Sequence, residues 1–293
     1  MTDLTWGIVG GLGTGMTWAA ISILVRSLSG TLTPAGITAV RATIGGSILL
    51  VVALATGHGG EVVRMPLWVV LVLWASIIIG MGFGEPMFFA SLVHLGVTRA
   101  LILAMANPLL TTLVGIGLLG EPVTLPRAAG ILLVMGGLML IIAGKGDRGI
   151  ERRATRRGMQ LVFSAAGAWA LSAVILKPAL EVASVVAASA IRFPMGGLFL
   201  WLTPWTRGTL HSIATSTPAE RKRLGVVCFL SAFGSLLFAT GIKFGGVAIG
   251  NVLASTSPLF TLPFDVWVLG HRPSRETVLG AVVTVAGVGL MNL

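Results

Sequence analysis

This sequence has few charged residues and almost none of the groupings that hold metals or disulfides. Charged side chains make up 10% of its 293 residues, against about 25% in an ordinary soluble protein. Cys228, in an apolar run, is the single cysteine, and one cysteine cannot form an internal disulfide. No set of His, Cys, Asp and Glu has metal-ligand spacing, and there is no phosphate-binding glycine loop and no nucleophile with a base nearby. The sequence therefore predicts no cofactor, no metal site and no ATP-driven step.

In place of charge, the chain carries long apolar runs. The hydrophobic fraction is 55% and the mean hydropathy is +0.96. Runs of about 20 residues have the length of transmembrane helices, whereas a membrane barrel would show short alternating segments. Forty glycines also suit transmembrane helices, which use small residues to pack closely. We expect an all-α polytopic membrane protein. The ten predicted spans are 6–25, 34–55, 67–93, 100–119, 125–143, 158–180, 183–204, 224–242, 246–269 and 274–290.

The second half of the sequence repeats the first. Because each half holds five predicted spans, an odd number, the second half must enter the membrane from the opposite side. The prediction is two inverted five-helix repeats, 1–144 and 158–293, joined by a basic connector, 145–157. At a shift of 150, the residues Ala104, Pro108, Leu109, Thr111, Gly120, Gly130, Gly137 and Leu140 fall on Ala254, Pro258, Leu259, Thr261, Gly270, Gly280, Gly287 and Leu290. At a shift of 151, the residues Gly7, Trp18, Ala19, Arg41, Gly45 and Gly46 fall on Gly158, Trp169, Ala170, Arg192, Gly196 and Gly197.

The net charge of +10 is concentrated in loops. Half of the Lys and Arg residues lie in two loops, 145–157 and 207–223. Basic loops beside spans set topology and contact anionic lipid, so we expect the lipid bilayer, and no nucleic acid, as the partner of this charge. Most Lys and Arg lie in or beside the odd-numbered loops, which join span 1 to span 2, span 3 to span 4, and so on to spans 9 and 10. The positive-inside rule then predicts that both termini lie outside the cytoplasm.

The fourth and fifth spans of each half carry a paired motif. Its residues are Asn107-Pro108-Leu109, Gly120-Glu121 and Gly130 in the first half, and Ser257-Pro258-Leu259, Gly270 and Gly280 in the second. This motif resembles the drug/metabolite transporter superfamily, specifically its ten-helix EamA-type branch. The resemblance covers about residues 5–292 and includes Trp18 and Trp169. It implies a secondary transporter of a small organic solute, such as an amino acid or a related metabolite, usually exported across the bacterial inner membrane by alternating access.

Two features depart from this family pattern. His271 stands where the first half has Glu121. Family members are also generally drawn with cytoplasmic termini, the reverse of what the charge distribution predicts here. The orientation of the termini therefore stays open. The sequence does not predict the oligomeric state.

Two arginines lie well inside apolar spans at equivalent positions, Arg41 and Arg192. A charge at that depth costs about 3 kcal/mol on insertion scales, so such a residue normally faces a cavity or a partner. One interpretation is a pair of cationic anchors for a carboxylate-bearing substrate. The other is a structural pair that binds backbone carbonyls or extends to the membrane interface.

Glu85 is the acidic residue deepest in a span. A carboxylate in an apolar site can take up a proton on one side of the membrane and release it on the other, as proton-coupled antiport requires. The alternative is that Glu85 pairs with one of the arginines or lies at lipid headgroups. Asp265, near the end of a span, is the weaker candidate for proton coupling.

Proline breaks mark equivalent interior positions of the two halves, at Pro108 and Pro258. Each removes a backbone hydrogen bond, so a kink and a substrate path are expected there. We expect the neighbouring Asn107, Thr256 and Ser257 to line that path. Trp18 and Trp169 could stack on substrate or pack between helices, and the first possibility makes them candidate site residues.

Two other functions are open at this point. A multidrug exporter of organic cations needs a cation site, and two central arginines argue against it. An intramembrane enzyme needs a catalytic group near the membrane surface, and no motif surrounds the available His and Asp residues.

Overall fold

The computed structural model describes residues 3–119, 124–143, 152–254, 256–257, 260–261 and 275–290. These residues form helices joined by turns, with no strand among them. A π-helical turn, Ile78–Gly84, connects α4 to α5, and a 3-10 turn, Pro204–Thr206, follows α10. The helices are α1 (Asp3–Leu28), α2 (Pro34–Ala55), α3 (Gly59–Val63), α4 (Leu67–Ile77), α5 (Glu85–Leu95), α6 (Val97–Ala104), α7 (Ala106–Leu119), α8 (Leu125–Ala143), α9 (Arg152–Val182), α10 (Val185–Trp201), α11 (Thr209–Thr215), α12 (Pro218–Ala254) and α13 (Arg275–Leu290).

Several of these helices have the length and hydropathy of membrane spans. A bend of 82° after α10 joins it to Pro204–Thr215, and the pair together would make a sixth candidate span. Shorter apolar helices cover Val97–Thr111, Ala128–Gly137 and Val278–Leu290. The chain is therefore all-helical with multiple spans, while the count of ten stays a prediction. The five candidate spans among the described residues are Thr5–Leu28, Pro34–Ala55, Leu67–Leu95, Thr155–Val182 and Pro218–Gly246.

Helices α2 and α10 begin at equivalent capping residues. The Thr33 hydroxyl accepts a hydrogen bond from the Gly36 N–H (3.1 Å), and the Ser184 hydroxyl accepts one from the Ala187 N–H (3.1 Å). Thr33 and Ser184 are 151 residues apart. A capping hydroxyl satisfies one of the four free N–H groups at a helix start, which fixes where each helix begins.

The crossing of α2 and α10 lies on an approximate two-fold axis. A Cβ added at Gly46 would lie 2.8 Å from the Pro194 N, and one at Gly197 would lie 3.1 Å from the Thr43 N. A shift of 151 exchanges these two contacts, and the pairing shows that the helices run antiparallel. Only glycine permits this close approach, and the two helix starts therefore lie at opposite ends of the pair.

The crossing of α8 and α13 follows the same rule. A Cβ at Gly137 would meet Thr284, and one at Gly287 would lie 2.7 Å from the Val134 N. A shift of 150 exchanges these contacts as well. Two independent crossings thus relate the halves by a two-fold rotation, the relation that an inverted repeat requires.

Tight glycine turns occupy equivalent places in the two halves. Gly96 separates α5 from α6 with a φ of 78°, and Gly246, inside α12, has a φ of 76°. This left-handed conformation favours glycine because a Cβ would clash there. Helix α12 is accordingly two helical segments that meet at Gly246.

The predicted fourth span is two helices. α6 ends at Ala104, Met105 forms a turn, and Pro108 is the third residue of α7. The ring of Pro108 removes the N–H that would bond the Ala104 carbonyl and crowds that carbonyl, so the break lies upstream of the proline. In the second half α12 ends at the equivalent Ala254, while Pro258 lies outside the described residues.

The sixth predicted span begins earlier than the hydropathy suggested. α9 starts at Arg152, inside the predicted connector 145–157, and not at residue 158. Arginine is a good helix former, and its long side chain keeps its charge in water while the helix extends beyond the apolar region. Hydropathy locates the membrane-embedded part of such a helix, and the helix itself is longer.

Candidate functional site

A cavity of about 170 Å³ lies between the two halves. For comparison, an engineered protein cavity of about 150 Å³ admits benzene, so this space accommodates a small organic molecule. Residues from both halves line it, including seven of the residues singled out from the sequence. Those seven are Trp18, Arg41, Glu85, Asn107, Trp169, Arg192 and Ser257.

Arg41 is held in a buried ion pair. Its side chain is 2% exposed, and its guanidinium pairs with the Glu85 carboxylate. A second guanidinium nitrogen donates to the Ser231 hydroxyl (2.7 Å), and the group lies 5.6 Å from the Trp18 ring centroid. Removing one partner of such a pair leaves an unmatched buried charge, at a cost of ~3–5 kcal/mol. The pair is thus a fixed, locally neutral part of the cavity wall.

Arg192 has a different environment. It is 8% exposed, and its Nη2 donates to the hydroxyls of Ser76 (3.2 Å) and Ser172 (3.1 Å). The two serines also donate to each other's backbone carbonyls, at 2.9 and 2.7 Å. Among the described residues no carboxylate lies within 4.0 Å of this guanidinium. Its direct partners are therefore dipoles, and the Glu85 carboxylate attracts its charge only from beyond that distance.

The π-helical turn Ile78–Gly84 brings α9 close to the cavity. A Cβ at Gly80 would lie 2.6 Å from the Ser172 Oγ, and one at Gly84 would lie 2.9 Å from the Trp169 Nε1. Since glycine leaves this space open, both side chains of α9 reach the cavity. The turn also precedes Glu85 directly, and single π-helical turns within α-helices frequently occur at functional sites.

The two tryptophans contact one another across the two-fold axis. Trp18 and Trp169 are edge-to-face with ring centroids 5.5 Å apart, and Phe88 lies 5.6 Å from the first and 5.1 Å from the second. Such pairs contribute about 1 kcal/mol beyond simple burial. The rings pack together and also line the cavity, so packing between helices is observed and stacking on substrate stays a prediction.

The remaining predicted site residues lie in different places. Asn107 and Ser257 are 8% and 3% exposed and line the cavity. Thr256 donates to the Leu253 carbonyl (2.6 Å) and lies beside Gly15 instead of on the cavity wall. Asp265, like Pro258, lies outside the described residues.

Three serines that bind the arginines are not among the residues predicted from the sequence: Ser76, Ser172 and Ser231. A serine in an apolar helix usually donates to a carbonyl one turn back, so its presence in a span is a weak signal. Ser231 does donate to the Val227 carbonyl (2.6 Å) as well as contacting Arg41. Only the packing of the helices shows that these serines contact the arginines.

Contacts between the halves close one face of the molecule at the start of α10. The Glu61 carboxylate of α3 accepts hydrogen bonds from the Ser184 N–H and hydroxyl, both at 2.6 Å. Burial alone would raise the pKa of the Glu61 carboxyl, but these bonds outweigh it and hold that pKa below its ordinary 4.5. Lys243 donates to the neighbouring Ala183 carbonyl (2.9 Å).

A comparable contact lies at the opposite face, near the start of α2. The Glu220 carboxylate of α12 accepts a hydrogen bond from the Thr31 hydroxyl (2.5 Å). It also accepts one from the Thr217 N–H (2.8 Å), which caps the beginning of α12. Because α2 and α10 are antiparallel, the two carboxylate contacts join the halves at opposite faces.

These features define an integral multi-pass membrane protein whose duplicated halves enclose a mainly apolar cavity that contains charged side chains. The EamA-like transporter family matches residues 5–143 and again residues 156–293. The chain belongs to the EamA-like transporter family, which confirms the resemblance drawn from the paired motifs. It is a membrane transporter, so its partners are a small-molecule substrate and membrane lipid.

Individual relatives agree with this assignment. The chain is 24% identical over 254 residues to the "Uncharacterized transporter YvbV" of Bacillus subtilis (strain 168), covering 86% of this chain and 80% of that protein. An "Uncharacterized transporter" of Archaeoglobus fulgidus is 29% identical over 143 residues, 47% of this chain and 48% of that one. A solved crystal structure superposes with a TM-score of 0.69 at 20% identity, covering 99% of this chain and 96% of that chain, and supports the fold. The bacterial relative fits an inner-membrane location.

Proposed function

We propose that the protein is a secondary active transporter that moves a small organic solute across the membrane by alternating access. The solute class that the family resemblance suggests is an amino acid or a related metabolite, and the direction is export. Arg41, Arg192 and the tryptophans contact the solute in the cavity, and Glu85 exchanges protons.

The observation that carries this proposal is a cavity lined by equivalent residues of both halves. Arg41 and Arg192 come from helices that cross on the two-fold axis, and Trp18 and Trp169 meet beside them. Inverted-repeat carriers place their substrate site at this repeat interface, near the middle of the membrane. A cavity with two guanidiniums and a carboxylate supports recognition of a charged solute over a purely apolar one.

Alternating access is supported by the paired contacts at the two faces. Glu61 joins the halves at one face and Glu220 joins them at the other. Each is an exposed or half-buried hydrogen-bonded contact, which is worth only about 1 kcal/mol. Contacts of that strength can break and re-form within a transport cycle.

The proposal is tested by uptake into proteoliposomes containing the purified protein. Labelled amino acids, organic anions and cationic dyes are offered in turn, each with and without a pH gradient. Accumulation of a zwitterion or anion that follows the gradient is the expected result. Flux that ignores the gradient would remove the proton role of Glu85, and movement of cationic dyes alone would favour a multidrug exporter.

A further inference from the structure

The two cavity arginines are equivalent in the repeat but differ in their partners. Arg41 pairs with Glu85, whereas the polar partners of Arg192 among the described residues are hydroxyl groups, and the Phe238 ring lies 6.0 Å away. The position that corresponds to Glu85 in the second half, at the shift of 150 that pairs Gly96 with Gly246, is Ser235. The duplication therefore supplied two arginines, and only one half carries the matching carboxylate.

Among the described residues, the cavity consequently carries one more positive than negative charge. Among its described lining residues the ionisable side chains are the two arginines and Glu85. Arg192 lines the cavity at 8% exposure, and its buried Nε, like that of Arg41, has no hydrogen-bond partner among the described residues. Both serine contacts use Nη2. A carboxylate can accept from two N–H groups of one guanidinium at once, so this site is complementary to an anion.

Among the described lining residues, an ammonium group finds no unpaired carboxylate. The Glu85 carboxylate is already paired with Arg41, and both guanidiniums repel a second cation. The hydroxyl of Ser257 donates to the Ala254 carbonyl (2.8 Å), so it offers only a neutral oxygen. The carboxylate of a zwitterion would thus match Arg192, while the two guanidiniums would repel its ammonium group.

We infer that the substrate is an organic monoanion with an apolar body and no ammonium group. Its anionic group binds the Arg192 guanidinium, and its apolar body lies against Trp169 and Phe238, which line the same cavity. This inference rests on the proposed function, since it concerns the same cavity, but it names an organic monoanion in place of an amino acid.

The test uses three solutes with one branched hydrocarbon body. Isocaproate is the anion, leucine the zwitterion and isoamylamine the cation. Binding to the full-length protein in lipid nanodiscs is measured by calorimetry, which passive leakage of the acid cannot disturb. Counterflow of isoamylsulfonate in proteoliposomes, a solute that stays charged, reports transport separately.

Isocaproate should bind at least about tenfold more tightly than leucine. The ammonium group of leucine loses its charge-assisted hydrogen bonds to water on entering the cavity and finds no unpaired carboxylate among the described lining residues to replace them. Isoamylamine should not bind. Arg192→Gln should abolish the preference for the anion, and Arg192→Lys should keep part of it, which separates lost charge from misfolding. Arg64→Gln, an exposed loop arginine, should leave all three affinities unchanged.

The outcomes separate this inference from the proposed function. If leucine or the amine binds as tightly as isocaproate, or if none of the three binds, the anion inference is overturned. Transport of leucine would in that case still support the transporter mechanism. If isocaproate binds through Arg192 but isoamylsulfonate shows no counterflow, the anion site stands and transport through this cavity is refuted.

Discussion

The two central arginines show what duplication keeps and what it changes. Helices α2 and α10 begin at equivalent caps, cross at equivalent glycines and carry Arg41 and Arg192 at equivalent positions. Arg41 is nevertheless neutralised by Glu85, while Arg192 rests on Ser76 and Ser172. The shared backbone builds the cavity, and the unequal partners give the cavity its net charge.

The largest expected difference concerns stability. Arg41→Ala leaves Glu85 buried without a partner and should destabilise the fold by ~3–5 kcal/mol. Arg192→Ala leaves Ser76 and Ser172 bonded to each other's carbonyls, so its cost should stay below about 1.5 kcal/mol. Thermal unfolding in detergent measures both.

The double variant Arg41→Ala with Glu85→Ala is the control for this comparison. It should recover part of the loss, because no unmatched charge remains. Equal melting temperatures for the two single arginine variants would contradict the assigned partners.

Proton coupling is the next contrast. Glu85→Gln keeps the shape of the side chain but cannot lose a proton, so accumulation driven by a pH gradient should fall to the level without a gradient. The measurement is solute uptake into proteoliposomes at matched protein content. Glu181→Gln, at an exposed position, should retain full coupling, and unchanged coupling in Glu85→Gln would assign Glu85 a structural role.

A smaller effect is expected at the α2–α10 crossing. Gly46→Ala places a Cβ 2.8 Å from the Pro194 N, whereas Gly197→Ala places one 3.1 Å from the Thr43 N. Both should lower the stability by about 1–3 kcal/mol, with Gly46→Ala the worse. Gly225→Ala, which meets nothing within 4 Å, should not destabilise. The assay is thermal unfolding. An unchanged melting temperature in Gly46→Ala would show that the helices do not cross at this glycine.

The smallest effect concerns the contact between Glu61 and Ser184. Because the pKa of Glu61 is below 4.5 in the folded protein, its stabilising contribution is complete above pH 4.5 and is lost as the pH falls below it. Glu61→Gln should therefore flatten the acid dependence of the melting temperature in that range. If the parent and the variant lose stability in parallel on acidification, the carboxylate contact does not contribute.

Much of the architecture could be predicted because it depends on local composition. The bounds of α2 and α8 predicted from hydropathy agree with the observed ones. The repeat spacing identified the arginines and tryptophans that meet at the axis. These features follow from apolar length and from identical residues at a fixed shift, both of which are visible in one dimension.

The rest depends on packing between distant segments. Glu85 could have paired with either arginine, and only the approach of α5 to α2 selects Arg41. The break at Met105 lies upstream of Pro108 because the proline acts on a carbonyl four residues back. The roles of Ser76 and Ser172 require the glycine-rich π-helical turn to meet α9, which no spacing rule reveals.

The most direct test of this account is solute counterflow in proteoliposomes carrying the parent protein, Arg192→Lys or Arg192→Gln, reconstituted at equal amounts and shown to be folded by size-exclusion chromatography. We expect exchange of isoamylsulfonate by the parent, reduced exchange by Arg192→Lys and none by Arg192→Gln. Exchange by Arg192→Gln at the parent rate would show that the unmatched guanidinium of the second half does not bind the transported solute.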